Sequence, residues 1–487
     1  MSEWVGAIIL VVGFIVLIQL FKLVPISQKA IAVAQRSLAI INAADLDDDE
    51  KEARLQRNSI QLFVFFFQII AVCIAAFLIP IAVLYLGERA GLVSLKDAIS
   101  TTISPIFIGV SFALVLGWLF WQGSQSKSPD SSDYSPIEQS LHQVAFSTYQ
   151  SQVGLADLEG LILGKPIKTV ILEKPVFITA LPRAGTTLLL ECCASVPEFA
   201  AHCYRDMPFV MVPLFWNRFS RIFQQSVESK ERAHGDGMQI NPDSPEALEE
   251  VIWKTFWQRH YKDDRIIPWD IETNSDFKDF TDSHFRKIIW LRRGHSNARY
   301  VSKNNANIAR IPLLKRLYPD SIIIIPFRDP YTHAASLLQQ HLNFLDIHKQ
   351  DSFASEYMAA IGHYDFGENL RPIDFDGWFD QRQTPDATSI AFWLEYWLAS
   401  YQFLLKTATG HVSFLHYESL CANPEAGLSR LADTLQSQNP QAFLDQSNRL
   451  RPPRPKTIYK THIPKFLLQS IDDTYSELKA VSVNYAV

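Results

Sequence analysis

The chain has 487 residues, which is enough for a membrane region plus one large domain, or for two soluble domains. Its formal net charge of −6 argues against a general nucleic-acid-binding protein. Its five cysteines are too few and too scattered for a disulfide framework, so a reducing compartment fits best. Hydrophobic residues make up 48% of the chain, and their excess lies near the N-terminus.

Three apolar stretches near the N-terminus approach or exceed the ~17–25 residues that a membrane-spanning helix needs. They lie at about 4–21, 60–86 and 103–121. The first is preceded by Glu3 and by no Lys or Arg, which predicts a retained helix and not a cleaved signal peptide. We therefore predict a membrane region at 1–122 with three transmembrane helices.

The distribution of Lys and Arg predicts the orientation of this region. The loop between the second and third stretches carries only Arg89 and Lys96. The loop between the first two carries more cations: Lys22, Lys29, Arg36, Lys51, Arg54 and Arg57. By the positive-inside rule the first loop is cytoplasmic, and so is everything after the third helix. The sequence thus favours a multi-pass inner-membrane or plasma-membrane protein whose C-terminal domain faces the cytoplasm.

A Ser-, Gln- and Asp-rich linker at 123–140 separates this region from a domain at 141–487. In the domain, helical patterns alternate with short apolar runs at 170–172, 177–180, 288–291 and 322–327. Read as strands, these runs predict an α/β fold with a largely parallel sheet. An aromatic stretch at 392–404 repeats at helical spacing, which favours a buried helix over an aromatic binding groove.

The run from Phe177 to Leu188 predicts a strand, a tight loop and a helix start, where backbone N–H groups and the helix dipole bind anions. The loop also carries Arg183, a cation suited to phosphate or sulfate. In an alignment with the P-loop of NTPases, Ala180 replaces the first Gly and Thr186 replaces the Lys. We expect this loop to bind a phosphorylated group without the lysine and metal of an ATPase.

A second apolar run at 321–327 has the pattern of a strand buried on both faces of a parallel sheet. It ends in Arg328-Asp329-Pro330, and Ser336 follows eight positions after Arg328. Together the two strand-loop-helix units resemble the PAPS-dependent sulfotransferase family, with a pattern nearest the carbohydrate and tyrosylprotein branch. The resemblance covers roughly 165–430 and includes two further matches, at 303–305 and 417–420.

This resemblance implies a P-loop-like sulfotransferase domain that uses PAPS (3′-phosphoadenylyl sulfate) as donor and needs no metal. Arg328 and Ser336 would bind the 3′-phosphate, while Arg183 and Lys303 would stabilise charge on the leaving group. The 5′-phosphosulfate would lie in the first loop, against Arg183, Ala184, Gly185, Thr186 and Thr187. A basic segment at 451–456 either closes over the donor or is a solvated loop.

The sequence offers several candidates for the general base. Cytosolic relatives use a His at the position that Asn305 occupies here, and an amide cannot act as a base. Membrane-bound relatives use a carboxylate shortly after the first loop, which makes Asp206 the first choice. Asp206 could instead cap a helix or pair with Arg205. The rival carboxylates, at an apparent helix start, are Glu246, Glu249 and Glu250. No pattern supports His202 or His295.

The expected function is transfer of a sulfuryl group from PAPS to a hydroxyl or amine of a carbohydrate, lipid or lipid-linked acceptor at the membrane. The expected partners are the bilayer and this acceptor, with no nucleic acid. Two alternatives stay open: a nucleotide kinase or NTPase with a modified P-loop, and a membrane scaffold with an inactive sulfotransferase-like domain. The acceptor, the aromatic residue that stacks on adenine and the oligomeric state cannot be read from the sequence.

Overall fold

A computed structural model divides the chain into two compact units, residues 1–127 and 128–487. The predicted linker, the third apolar stretch and most of the basic segment at 451–456 fall outside the residues that the structure describes. The structure describes residues 2–23, 48–102, 149–223, 230–231, 239–271, 273–294, 297–408, 410–452 and 463–483. It also describes a few isolated residues between 25 and 37 and between 104 and 146.

The N-terminal unit contains helices α1 (Ser2–Leu20), α2 (Asp48–Arg89) and α3 (Leu95–Thr102). Within the described residues, the 54–89 part of α2 is the helix that is long and apolar enough to cross a membrane. Its large apolar side chains point outward, and Phe63 is 65% exposed. The apolar part of α1, Trp4–Phe14, is shorter than a span. One of the three predicted spans is thus supported by a helix of sufficient length.

The C-terminal unit combines a parallel sheet with helices. Its strands are β1 (Val176–Ile178), β2 (Phe199–Ala200), β3 (Lys230–Glu231), β4 (Gln239–Ile240), β5 (Arg299–Lys303), β6 (Ile322–Phe327) and β7 (Ser413–His416). Its helices are α4 (Tyr149–Leu163), α5 (Thr186–Ala194), α6 (Pro213–Phe223), α7 (Glu250–Phe256), α8 (Ser275–Arg293), α9 (Ile311–Leu317), α10 (Pro330–Gln350), α11 (Ser352–Ala360), α12 (Trp378–Gln381), α13 (Ile390–Ala408), α14 (Tyr417–Ala422), α15 (Pro424–Thr434), α16 (Pro440–Leu444) and α17 (Lys465–Val481).

Five of these strands form one sheet in the order β2-β5-β1-β6-β7, and every pair in it is parallel. The central strand β1 is apolar and fully buried, and so is most of β6. Their loops leave the sheet side by side, because Ile178 pairs with Ile324 on one side and with Lys303 on the other. The predicted α/β fold with a parallel sheet is therefore confirmed.

Two of the four predicted strands are wrong. The run at 170–172 is irregular, and the run at 288–291 lies inside α8. An apolar run of four residues cannot be assigned to strand or helix by its own pattern. Its surroundings decide: the Asn274 side chain caps the start of α8, and Gly294 ends the helix in a left-handed conformation.

The aromatic stretch at 392–404 lies in α13 and is buried, as predicted. Trp393, Trp397 and Tyr401 have no exposed surface. They belong to a core that also includes Phe327, the last residue of β6. This packing holds the C-terminal end of β6 in place, and the loops at such ends are where parallel sheets bind ligands.

Candidate active site

The loop after β1 has the backbone of an anion-binding turn. Arg183 and Gly185 both have positive φ angles, 69° and 96°. A Cβ on Gly185 would lie 2.3 Å from the ring of Tyr417, so only glycine fits there. Helix α5 begins directly after Gly185, and no side chain caps its start. Its first N–H groups, together with the helix dipole, therefore face the loop as donors for an anion.

The loop after β6 meets the first loop at close range. The Nη1 atom of Arg328 donates to the backbone oxygen of Arg183 at 3.2 Å. The Nε atom of Arg183 lies 3.4 Å from the hydroxyl of Ser336, two turns into α10. Asp329 caps α10 by accepting from the backbone N–H of Thr332 at 2.8 Å. The structure thus brings together Arg183, Arg328 and Ser336, which the sequence predicted to share one site.

The positive charge of Arg328 is buried and only partly neutralised by a carboxylate. Its side chain is 10% exposed, and its Nε lies 3.8 Å from the Glu418 carboxylate, too far for a hydrogen bond. Glu418 instead accepts from the backbone N–H of Asp329 at 3.0 Å, and burial raises the pKa of Glu418. Among the described residues, Arg328 Nε has no hydrogen-bond partner. A buried guanidinium with an unused donor is suited to an anionic ligand.

His333, which was not predicted from the sequence, supports the first loop. It is fully buried, with Nε2 2.8 Å from the backbone oxygen of Pro182. Burial, reinforced by the charge of Arg328, lowers its pKa to about 3, so the ring is neutral and its N–H donates to this oxygen. The sequence offered one signal, a His three residues after Pro330 on the helix that also carries Ser336.

Lys303 lies at the end of β5, in register with Ile178 where the first loop begins. The chain continues past it along the same edge of the sheet. The backbone N–H of Asn304 donates to the Ile178 oxygen at 3.0 Å. The hydroxyl of Thr179 donates to the Asn305 oxygen at 3.3 Å. The backbone of Lys303 therefore lies beside the first loop, and its role in charge stabilisation stays a prediction.

Asp206 is buried, and both of its carboxylate oxygens are hydrogen-bonded or ion-paired. One carboxylate oxygen accepts from His202 at 3.0 Å and from the backbone of Cys203 at 3.1 Å, and the other pairs with Arg292. Burial alone would raise its pKa, but the His202 hydrogen bond and the Arg292 charge outweigh burial and hold the pKa below its usual range. Arg205, the partner considered from the sequence, pairs with Asp243 instead. These are the contacts of a structural carboxylate, and the role of Asp206 as base stays a prediction.

Two of the rival carboxylates also accept hydrogen bonds from neighbouring side chains. Glu250 accepts from both terminal nitrogens of Arg310, at 2.9 and 3.0 Å, and from Asn304 at 2.7 Å. Glu249 accepts from the indole of Trp253 at 2.8 Å. Glu246 differs, because it is half-buried and its described hydrogen bond is to its neighbour's backbone N–H. His295 lies outside the described residues.

Residues 175–366 match the model of the sulfotransferase family, which bears out the resemblance of the two loops to that family. No curated protein matches the chain significantly.

Three solved structures are similar in fold at low identity. Sulfotransferase STF9 from Mycobacterium avium has a TM-score of 0.41 and 12% identity over 71% of this chain and 87% of its own. STF1 from Mycobacterium tuberculosis has a TM-score of 0.33 and 13% identity over 70% and 83%. The sulfotransferase domain of the Synechococcus olefin synthase has a TM-score of 0.29 and 12% identity over 63% and 96%. The likeness to the sulfotransferase family rests on the match over residues 175–366.

Proposed function

We propose that this chain transfers a sulfuryl group from PAPS to a hydroxyl or amine of a carbohydrate, lipid or lipid-linked acceptor at a membrane. The observation that carries the proposal is the meeting of two loops at one edge of the sheet. There the buried Arg328 donates from Nη1 to the Arg183 backbone oxygen at 3.2 Å, in a turn whose backbone suits an anion, while its Nε has no hydrogen-bond partner among the described residues. PAPS carries anionic groups at both ends of its ribose, which matches two adjacent anion sites.

The residues fit this donor at both ends. The N–H groups at the start of α5 and the side chains of Thr186 and Thr187 suit the 5′-phosphosulfate. Ala184 stands where relatives have Ser, which costs about 1 kcal/mol at most because backbone N–H groups supply the other hydrogen bonds. Arg328 and Ser336 suit the 3′-phosphate. Arg183 lies between the two ends, since its side chain reaches Ser336.

Sulfuryl transfer is an in-line displacement with a loose transition state, so positioning and charge stabilisation supply most of the catalysis. The oxygen that bridges sulfur and phosphorus gains negative charge as its bond to sulfur breaks. Arg183 and Lys303 flank the start of the first loop and are the cations proposed to stabilise that charge. Neither role involves a metal.

We place the domain on the cytoplasmic side of an inner or plasma membrane. Support comes from α2, with Lys51, Arg54 and Arg57 before its apolar part and Arg89 after it. A cytoplasmic domain also needs a third span at 103–121. Protease protection in sealed inverted vesicles tests this topology, because a cytoplasmic domain is cleaved there without detergent.

Calorimetry on the detergent-solubilised chain tests the donor site. We expect tight binding of PAP (the product, adenosine 3′,5′-bisphosphate) without metal, and at least a ~100-fold loss of affinity in Arg328→Ala, which removes a bidentate phosphate ligand. Arg316→Ala, at an exposed arginine, is the matched control and should bind like wild type. Binding of ATP·Mg²⁺ but not PAP would favour a kinase or NTPase. Binding of neither would favour the scaffold.

A further inference from the structure

A short segment after α11 brings a histidine and a carboxylate to the same edge of the sheet as Lys303. Asp365 Oδ2 accepts from the Asn305 side chain at 2.8 Å, and His363 Nε2 lies 3.7 Å from that oxygen. Asn305 is linked in turn to the first loop, because its backbone oxygen accepts from Thr179. His363, Asp365 and Lys303 thus lie within one connected group that ends at the proposed phosphosulfate loop.

This segment is anchored on both sides. Gly362 has a φ of 79°, and a Cβ there would lie 2.6 Å from the side chain of the buried Glu250. The ammonium of Lys254 donates to the Ala360 oxygen at 3.2 Å. On the other side, Phe366 stacks on Phe344 with ring centroids 6.0 Å apart. His363 is therefore held by rigid elements, as a precisely positioned reactive group must be.

We propose that His363 is the general base that accepts the acceptor's proton, and that Asp365 is a positioning residue that favours the protonated ring by its charge. This inference rests on the proposed function. Because Nδ1 of His363 is buried, Nε2 is the atom that takes the proton, and the Asp365 carboxylate 3.7 Å away acts on it by charge and not by a hydrogen bond. Asn305, an amide that cannot act as a base, takes part by holding Asp365 in place.

The transfer step balances in atoms and charge. The acceptor O–H (or N–H) gives its proton to His363 while its lone pair forms a bond to sulfur. The bond between sulfur and the bridging oxygen breaks, and PAP leaves with the electron pair. Lys303 and Arg183 stabilise the charge on that oxygen. His363 then releases its proton to solvent, since its side chain is 21% exposed.

The charged groups around His363 keep it in the basic form at neutral pH. Burial lowers its pKa, Asp365 and Glu246 raise it, and Lys303 lowers it. A fourth titratable neighbour, His348, interacts with it from α10. The net direction is downward from about 6.5, so His363 is neutral at pH 7 and becomes protonated only as the pH falls.

The predicted carboxylates compete poorly for this role. Asp206, Glu249 and Glu250 are buried and already accept hydrogen bonds or ion pairs, so taking a substrate proton would break those contacts. Glu246 is half-buried and interacts electrostatically with His363, which makes it the rival that an experiment must separate.

Single-turnover transfer from labelled PAPS by the detergent-solubilised full chain tests the proposal. The probe acceptors are n-octyl β-glucoside and water, and the PAP affinity of each variant is measured alongside. We expect His363→Gln to lower the rate about 100-fold or more at neutral pH while PAP affinity stays near wild type. His411→Gln, at an exposed histidine, is the matched control and should leave both unchanged.

The pH profile separates a positioning role from a purely structural one. In wild type the rate should fall as the pH drops through the lowered pKa of His363. Asp365→Asn removes a charge that raises this pKa, so the acidic limb should move to lower pH. Glu246→Gln should shift the limb in the same direction and keep most of the rate.

Three results would overturn the proposal. His363→Gln could keep a rate close to wild type, or it could lose PAP affinity together with rate, which would make His363 structural. Glu246→Gln could abolish the rate while His363→Gln keeps it, which would move the base to Glu246. A wild-type chain that binds PAP but gives neither glucoside sulfate nor free sulfate from PAPS would instead refute the proposed function, and this inference with it.

Discussion

The charged residues of two regions in the C-terminal unit differ in how completely they are paired. In the donor loops (179–187 and 328–336), Arg183 and Arg328 meet a hydroxyl, a carbonyl and a distant carboxylate. In the carboxylate flank (202–206 and 246–250), three of the four predicted carboxylates are closely paired. A charge whose hydrogen bonds are complete contributes to stability, while a buried charge with an unused donor is available to a ligand.

This contrast makes a general prediction. Substitutions in the carboxylate flank should lower stability and leave PAP binding intact, whereas substitutions in the donor loops should do the reverse.

Substitution of Arg310 should cause the largest loss of stability. The Arg310 side chain has no solvent exposure and pairs with Glu250. Its guanidinium carbon lies 4.2 Å from the ring centroids of both Trp253 and Trp269. Arg310→Met keeps the length of the side chain but leaves the Glu250 carboxylate buried without its charge partner. We expect a loss of about 3–5 kcal/mol in the free energy of unfolding, measured by denaturant titration of the full chain.

The control for Arg310 is Lys406→Met, because Lys406 pairs with Asp376 at 3.0 Å with both side chains mostly exposed. It should cost at most about 1 kcal/mol. If the folded Arg310→Met protein failed to bind PAP, the separation between the two regions would be wrong.

The two regions also differ in how well the sequence predicted them. Gly185, Arg328 and Ser336 lie in motifs whose geometry is local, a strand end followed by a helix start, and the family resemblance of the two motifs predicted that they share one site. The carboxylate flank depends on distant partners. Asp206 is paired by Arg292 and Glu250 by Arg310, 86 and 60 residues away, and no local pattern indicates such pairings.

For the same reason, no local pattern in the sequence indicates His363. It follows a short helix, and its relevant neighbours, Lys303 and Asn305, precede β6 in the chain. Only the parallel register of the sheet and the anchoring of Gly362 bring these residues together. The two local motifs therefore predicted the loops after β1 and β6, and the fold was needed to find His363 beside them.

Asp206→Asn should cause the second largest loss of stability, about 1–3 kcal/mol in the free energy of unfolding at neutral pH. The pKa of Asp206 is lowered in the folded state, so its contribution is complete above the unfolded pKa of about 3.9 and is lost as the pH falls towards the folded value. The difference between variant and wild type should therefore shrink as denaturant titrations are repeated at more acidic pH.

Asp433→Asn, at an exposed position, is the matched control for Asp206 and should show no such trend. The transfer rate of folded Asp206→Asn should stay close to wild type. A variant of normal stability that lost the rate about 100-fold would restore Asp206 as the general base and refute the role of His363.

Substitution of Ser336 should have the smallest effect, and that effect is on PAP binding. The Ser336 hydroxyl should contribute one hydrogen bond to the 3′-phosphate. Ser336→Ala should weaken PAP binding about fivefold, equivalent to ~1 kcal/mol, without changing the free energy of unfolding. Calorimetry checks this, with Ser476→Ala at an exposed position of α17 as the control.

A comparison of ligands makes the Ser336 experiment specific, because AMP has the 5′-phosphate of PAP but lacks its 3′-phosphate. If Ser336 binds the 3′-phosphate, Ser336→Ala should weaken PAP binding and leave AMP binding unchanged. The Arg183 Nε atom also lies 3.4 Å from the Ser336 hydroxyl, so the serine could act by orienting that guanidinium. An equal loss for PAP and AMP would show this second role, and it would assign Ser336 to the end of the donor where the sulfuryl group leaves.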